Sequence, residues 1–209
     1  MPVIALIGNK GGAGKTTLCV NLAAALAEKY PVVILDADPQ QSSSQWRNVA
    51  ASNSAIDVIE ACDGIQPVLD SLNNQSAYCL IDCPPSVHSR QMQQALRVAN
   101  LAIIPVQPSP VDLWATVHVE KEVALARIDN PALKAFLLIN QFESRTQLSQ
   151  IMRRALAELS LPAAETQIKR RVVYRSSFLE GRTVNDIGRR GSEAAAEIHQ
   201  LIEEMENYL

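Results

Sequence analysis

Five short runs of consecutive apolar residues punctuate the chain: Val3 to Ile7, Val32 to Leu35, Tyr78 to Ile81, Leu101 to Ile104 and Phe136 to Ile139. Unbroken runs of four or five such residues suit strands that are buried on both faces of a parallel sheet. Between the first two runs, Leu18, Leu22 and Leu26 recur every four residues and stripe one face of a helix. Helical patterning also covers Gln91 to Val98, Val111 to Ala126 and Gln147 to Leu159. The last segment, Ser192 to Leu209, reads as an amphipathic helix, with Ile198, Leu201, Ile202 and Met205 on one face and Glu on the other. Strands alternating with helices predict an α/β fold: a doubly wound, mostly parallel sheet flanked by helices, with right-handed crossovers. No internal repeat, low-complexity tract or Gly/Ser linker breaks the pattern, so residues 1–209 are expected to form a single domain.

Composition adds bounds. At 209 residues and 47% hydrophobic, the chain can bury a sizeable core with no disulfide or metal. Cys19, Cys62, Cys79 and Cys83 form no CxxC pair and have no His at zinc-finger spacing, which suits reduced thiols used as small hydrophobes. No apolar run approaches eighteen residues, so the expectation is a soluble, cytoplasmic protein without a membrane segment. The formal net charge of −3 conceals an asymmetry. Residues 167–190 hold seven basic and two acidic side chains, whereas residues 191–209 hold five Glu and no Lys or Arg.

The sharpest chemistry lies between the first strand and the first helix: Gly8-Asn9-Lys10-Gly11-Gly12-Ala13-Gly14-Lys15-Thr16-Thr17. A Gly-rich turn feeding a helix N-terminus brings backbone N–H groups and the positive end of the helix dipole onto phosphate oxygens. Gly11, Gly12, Ala13, Gly14 and Thr17 would form that cradle. Lys15 would neutralise β- and γ-phosphates, and the Thr16 hydroxyl would ligate Mg²⁺. This is the P-loop NTPase arrangement, although Asn9 stands where the general pattern would start with Gly.

The variant K-G-G-x-G-K-[ST]-T resembles the deviant Walker A loop of the ParA/MinD-type ATPases. Asp36-Ala37-Asp38-Pro39-Gln40 resembles that family's D-x-D-P-Q segment, and Leu80-Ile81-Asp82-Cys83-Pro84-Pro85 its Walker B and second switch. Pro105 to Pro110 resembles the proline-rich segment beside the adenine. The resemblance implies that Lys10 reaches across an ATP-bound homodimer to the partner's phosphates. It also supports Asp38 as the residue that positions the attacking water. Asp82 and Asp36, at the ends of adjacent parallel strands, would sit at the carboxyl edge where such folds bind ligands and serve the metal together with Thr16. N-cap or turn chemistry is the alternative for each Asp. Lys10, Lys15 and Asp38 are thus the candidate catalytic residues. None has a His partner in sequence, so hydrolysis would rest on positioning and be slow and switch-like. Pro105 and Pro108 would cover the base, and Asn140 offers an amide to adenine's edge. The N-K-x-D motif typical of guanine-specific NTPases does not match Asn140-Gln141-Phe142-Glu143. ATP with Mg²⁺ is the expected ligand.

Lys169, Arg170, Arg171 and Arg175, with Arg189 and Arg190 before the final helix, suit contact with a phosphate backbone without base reading. The same residues also suit a solvated face, or nucleotide and dimer contacts. The resemblance favours non-specific DNA and a nucleoid-associated location. An acidic final helix would be repelled by anionic lipid, which argues against membrane targeting. The loop begins at residue 8, so no helix-turn-helix extension is expected, and the chain resembles the short ParA proteins. The implied function is an ATP-dependent dimer that coats DNA and is released when a ParB-like or cargo-adaptor partner stimulates hydrolysis, partitioning plasmid DNA or distributing another cargo. A small-molecule enzyme on this scaffold, like dethiobiotin synthetase, would need its own substrate constellation. An iron–sulfur carrier would need a second site to match Cys83.

Overall fold

The computed structural model describes residues 1–51, 54–72, 76–143, 151, 154–156 and 158–209. All five apolar runs are strands: β1 (Val3–Leu6), β2 (Val32–Asp36), β4 (Tyr78–Asp82), β5 (Leu101–Val106) and β6 (Lys134–Phe142). Two more strands complete the sheet, β3 (Ile56–Glu60) and the two-residue β7 (Ile168–Lys169). Every pairing is parallel and the order is β3-β2-β4-β1-β5-β6-β7. The sheet therefore winds outward in both directions from β1, and the crevice above its carboxyl edge is where such folds bind ligands.

Alternate residues of each strand feed two cores. Ile4, Leu6, Ile34, Leu80 and Phe136 face α1 (Lys15–Ala27) and the terminal helix. Ala5, Leu35, Ile81, Ile104 and Leu137 face the opposite layer, with α4 (Arg90–Val98) and α5 (Pro110–Asp129) among its helices. Burial on both sides is the reason these strands lack a polar alternation.

The shorter elements carry no such pattern. β3 is an edge strand in which only Ile56 is buried, and α2 (Ser42–Val49) and α3 (Ile65–Ser71) bury few residues. C-terminal to β7 come α6 (Val172–Leu179), a 3₁₀ turn over Val184–Arg190, and α7 (Ser192–Glu206). In α7 the expected face of Ile198, Leu201, Ile202 and Met205 is buried. Tyr208 beyond it stacks at 5.0 Å on Phe136 of β6. Most of the helix expected over Gln147 to Leu159 lies outside the described residues. Among the described residues, no helix is long and apolar enough to cross a membrane.

Candidate functional site

β1 ends at Leu6, and the chain turns through Gly8 to Gly14 before α1 begins at Lys15. Gly12 and Gly14 take φ of 77° and 92°, a left-handed backbone that few side chains tolerate. A Cβ on Gly14 would also collide with the Asn140 amide. Three amides hold the loop by its carbonyls: Asn140 donates to Ala13 O at 2.7 Å, Gln107 to Gly12 O at 2.6 Å and Gln141 to Gly12 O at 3.0 Å. No local pattern assigns Gln107 or Gln141 to the loop, because a single Gln carries no motif. Gln141 has a φ of 58°, the kind of backbone strain that clusters at functional sites.

The two lysines of the loop face different neighbours. Lys15 is 6% exposed, and its Nζ donates to Lys10 O at 3.1 Å. Burial lowers its pKa, against the attraction of Asp82, Cys83 and Asp38, which raises it. Lys10 pairs with Asp112 in the first turn of α5 at 2.9 Å.

β2 and β4 end in register, placing Asp36 beside Asp82 at the carboxyl edge. Asp36 accepts from Ser44 N and Oγ, both at 2.8 Å, and from Asp38 N at 3.3 Å, which ties it to the first turn of α2. Asp38 caps its own turn by accepting from Gln40 N at 2.9 Å. Asp82 is fully buried, and its Oδ2 accepts from Ser43 Oγ at 2.7 Å. Its Oδ1 is buried and has no hydrogen-bond partner among the described residues. Burial pushes the Asp82 carboxyl up to about 7, while Ser43, Thr16 and Lys15 act in the opposite direction. An orphaned buried carboxylate oxygen with a hydroxyl beside it is a donor set that suits a hard divalent cation and its water. Thr16, Asp82 and the neighbouring Asp36 are therefore fit to hold Mg²⁺. Ser43 and Ser44 are further polar groups of this edge, and their only mark in the sequence is a Ser run after Gln41.

A cavity of about 270 Å³ opens beside Gly12, Gly14 and Thr17 and is walled by Asn140, Arg170 and Tyr174. The structure brings Asn140 to it but not the prolines. Pro105 lies within β5, opposite Leu138 of β6, and borders a crevice with Lys10 and Asp112. Pro108 follows outside the strand, and Pro110 starts α5.

Half of the basic cluster is matched by acids. Arg171 pairs with Glu193 and Glu197, both at 2.7 Å, and Arg170 with Glu143 at 2.9 Å. Lys169 lies 3.8 Å from Glu197. These three residues and Arg175 wall the same cavity. Arg175, Arg189 and Arg190 are exposed and make no ion pair among the described residues.

Comparison with known proteins gives a consistent result. A family model described as the CobQ/CobB/MinD/ParA nucleotide binding domain matches residues 4–184. The chain is 35% identical to the Maintenance of carboxysome distribution protein A of Halothiobacillus neapolitanus over 205 residues, 97% of this chain and 95% of that protein. A plasmid partition protein of Borrelia burgdorferi B31 bound to AMPPNP superimposes with a TM-score of 0.79 at 18% identity, covering 100% and 99% of the two chains. An ATP complex of Cyanothece McdA superimposes with a TM-score of 0.76 at 16% identity, covering 98% and 96%.

Proposed function

The chain belongs to the CobQ/CobB/MinD/ParA nucleotide-binding family, and from that premise we propose that it is a ParA-type positioning ATPase whose cargo is a carboxysome or a comparable large assembly. The observation that carries this reading is one loop bearing two lysines, with Asp36, Asp38 and Asp82 gathered at the same sheet edge. The identity to a carboxysome distribution protein over nearly the whole of both chains supports this cargo over plasmid DNA.

In this reading the whole chain works as one cytoplasmic ATPase domain. Gly11 to Thr17 cradle the phosphates, and Lys15 neutralises charge on the transferring group. Mg²⁺ held by Thr16, Asp82 and Asp36 would supply charge compensation on the phosphates. Asp38 orients the attacking water. Lys10 leaves Asp112 and reaches the phosphates bound by a second copy of the chain. The adenine enters the 270 Å³ cavity beside Asn140. The ATP-bound dimer holds nucleoid DNA through Arg175, Arg189 and Arg190, with Lys169, Arg170 and Arg171 contributing as far as their acid partners release them. A partner protein on the cargo stimulates hydrolysis and frees the dimer.

The test is binding to non-specific duplex DNA with ATP and Mg²⁺, with ADP, and without nucleotide, across a salt series. ATP-dependent, salt-sensitive binding supports the reading, and no binding in any state removes the DNA arm. Asp38→Ala is expected to retain ATP-driven dimerisation in sedimentation while turnover falls at least tenfold. Failure to dimerise would give Asp38 a binding role instead.

A further inference from the structure

Helix α5 is apolar on two opposite faces. Its inner face, with Thr116, Val119 and Val123, is buried against the sheet. At 3.6 residues per turn, Val111, Trp114, Val117, Leu125 and Ile128 fall on the other side, within roughly one third of the circumference, a sector they share with the exposed His118, Lys121 and Asp129. All five are exposed, Trp114 at 68% and Ile128 at 75%. A surface helix normally turns polar residues outward, so this stripe asks for a cover.

We propose that the outer face of α5 is the docking surface for an amphipathic helix of the cargo-side partner protein, one that carries an acidic residue near its middle. This rests on the reading that a partner acts on the ATPase, and it names the surface and the chemistry of that partner. Two observations select the occupant. Lys121 lies at the centre of the stripe, is exposed, and makes no ion pair among the described residues. In an antiparallel pairing of two copies, Lys121 would face Lys121 across the two-fold axis, and like charges there cost affinity. The area points the same way. The five side chains offer roughly 500 Å² of apolar surface, whereas a stable interface needs about 800 Å² per partner. A single helix matches the smaller figure, and it would run roughly 25 Å along the stripe. The same helix reaches the nucleotide edge through its opposite face, since its first turn supplies the Asp112 that holds Lys10.

The experiment uses two synthetic eighteen-residue amphipathic peptides of Leu and Gln that differ in one central residue, Glu or Lys. Binding to the full chain without nucleotide is followed by Trp114 emission; Trp46 is buried and acts as a constant background. The Glu peptide is expected to blue-shift the emission and to bind at least fivefold more tightly than the Lys peptide. The exposed charge reversal Lys121→Glu should invert that order. Equal affinities, no binding, or anionic vesicles shifting Trp114 while the peptides do not would each overturn the proposal. So would a nucleotide-free dimer that Ile128→Glu converts to monomer. Because no arm needs ATP, loss of the ATPase reading and loss of this surface are distinguishable.

Discussion

The loop edge and the basic corner at β7 and α6 both concentrate charge, yet they dispose of it in opposite ways. At the loop edge the charges are incompletely matched. Among the described residues, Lys15 Nζ hydrogen-bonds only to a carbonyl, and Asp82 keeps one buried oxygen without a hydrogen-bond partner. At the basic corner two of the arginines are matched, with Glu143, Glu193 and Glu197 occupying Arg170 and Arg171, while Arg175 makes no ion pair among the described residues. Unmatched buried charge is a cost to folding that a ligand can offset, whereas a charge already paired is less available to a ligand. Charge counted along a sequence does not separate the two cases.

The largest expected effect breaks the comparison at its ligand side. Lys15→Ala should weaken ATP binding about 100-fold or more by calorimetry, since a buried phosphate loses its counter-charge (~2.7 kcal/mol). Unchanged affinity would remove the loop assignment altogether.

Next comes the folding cost of Asp82. Burial pushes its carboxyl up to about 7 from the ordinary 3.8. Between those values the folded state binds more protons than the unfolded one, so nucleotide-free stability falls as pH rises from about 4 to 7 and stays low above. Asp82→Asn should therefore raise the melting temperature of the nucleotide-free protein by on the order of 5 °C at pH 8, with little change at pH 4. A variant that is no more stable at pH 8 than the parent would show that Asp82 carries no such penalty.

The smallest effects separate the arginines. Arg171→Ala leaves the buried Glu197 without its two-nitrogen partner and should cost roughly 1–2 kcal/mol in urea unfolding. Arg189→Ala with Arg190→Ala should change stability by less than about 0.5 kcal/mol. That double variant should instead lower the salt slope of ATP-dependent DNA binding by about 0.9 per lost phosphate contact. If the two variants behaved alike, the division between matched and unmatched arginines would be wrong.

The elements most legible from the chain were those with a single dominant cause. Buried parallel strands must be apolar on both faces, so β1, β2, β4, β5 and β6 announce themselves. β3 does not, because an edge strand with Asp57 and Glu60 exposed lacks a continuous run. α2 was hidden in Ser42 to Val49, which is held by Asp36 and Trp46 and not by a stripe of its own. Pro105 was expected in a loop over the base, but hydrogen bonding between β5 and β6 keeps it inside the sheet and away from the cavity.

The sequence alone determined the loop between β1 and α1, the order of the acidic segments and the family, because phosphate binding demands glycines, a lysine and a hydroxyl at consecutive positions. Tertiary structure alone decided which charges remain for a ligand and which face of α5 is left uncovered. Those depend on partners brought together from distant parts of the chain, such as Glu197 to Arg171, Gln107 to Gly12 and Asp112 to Lys10, and no local pattern encodes them.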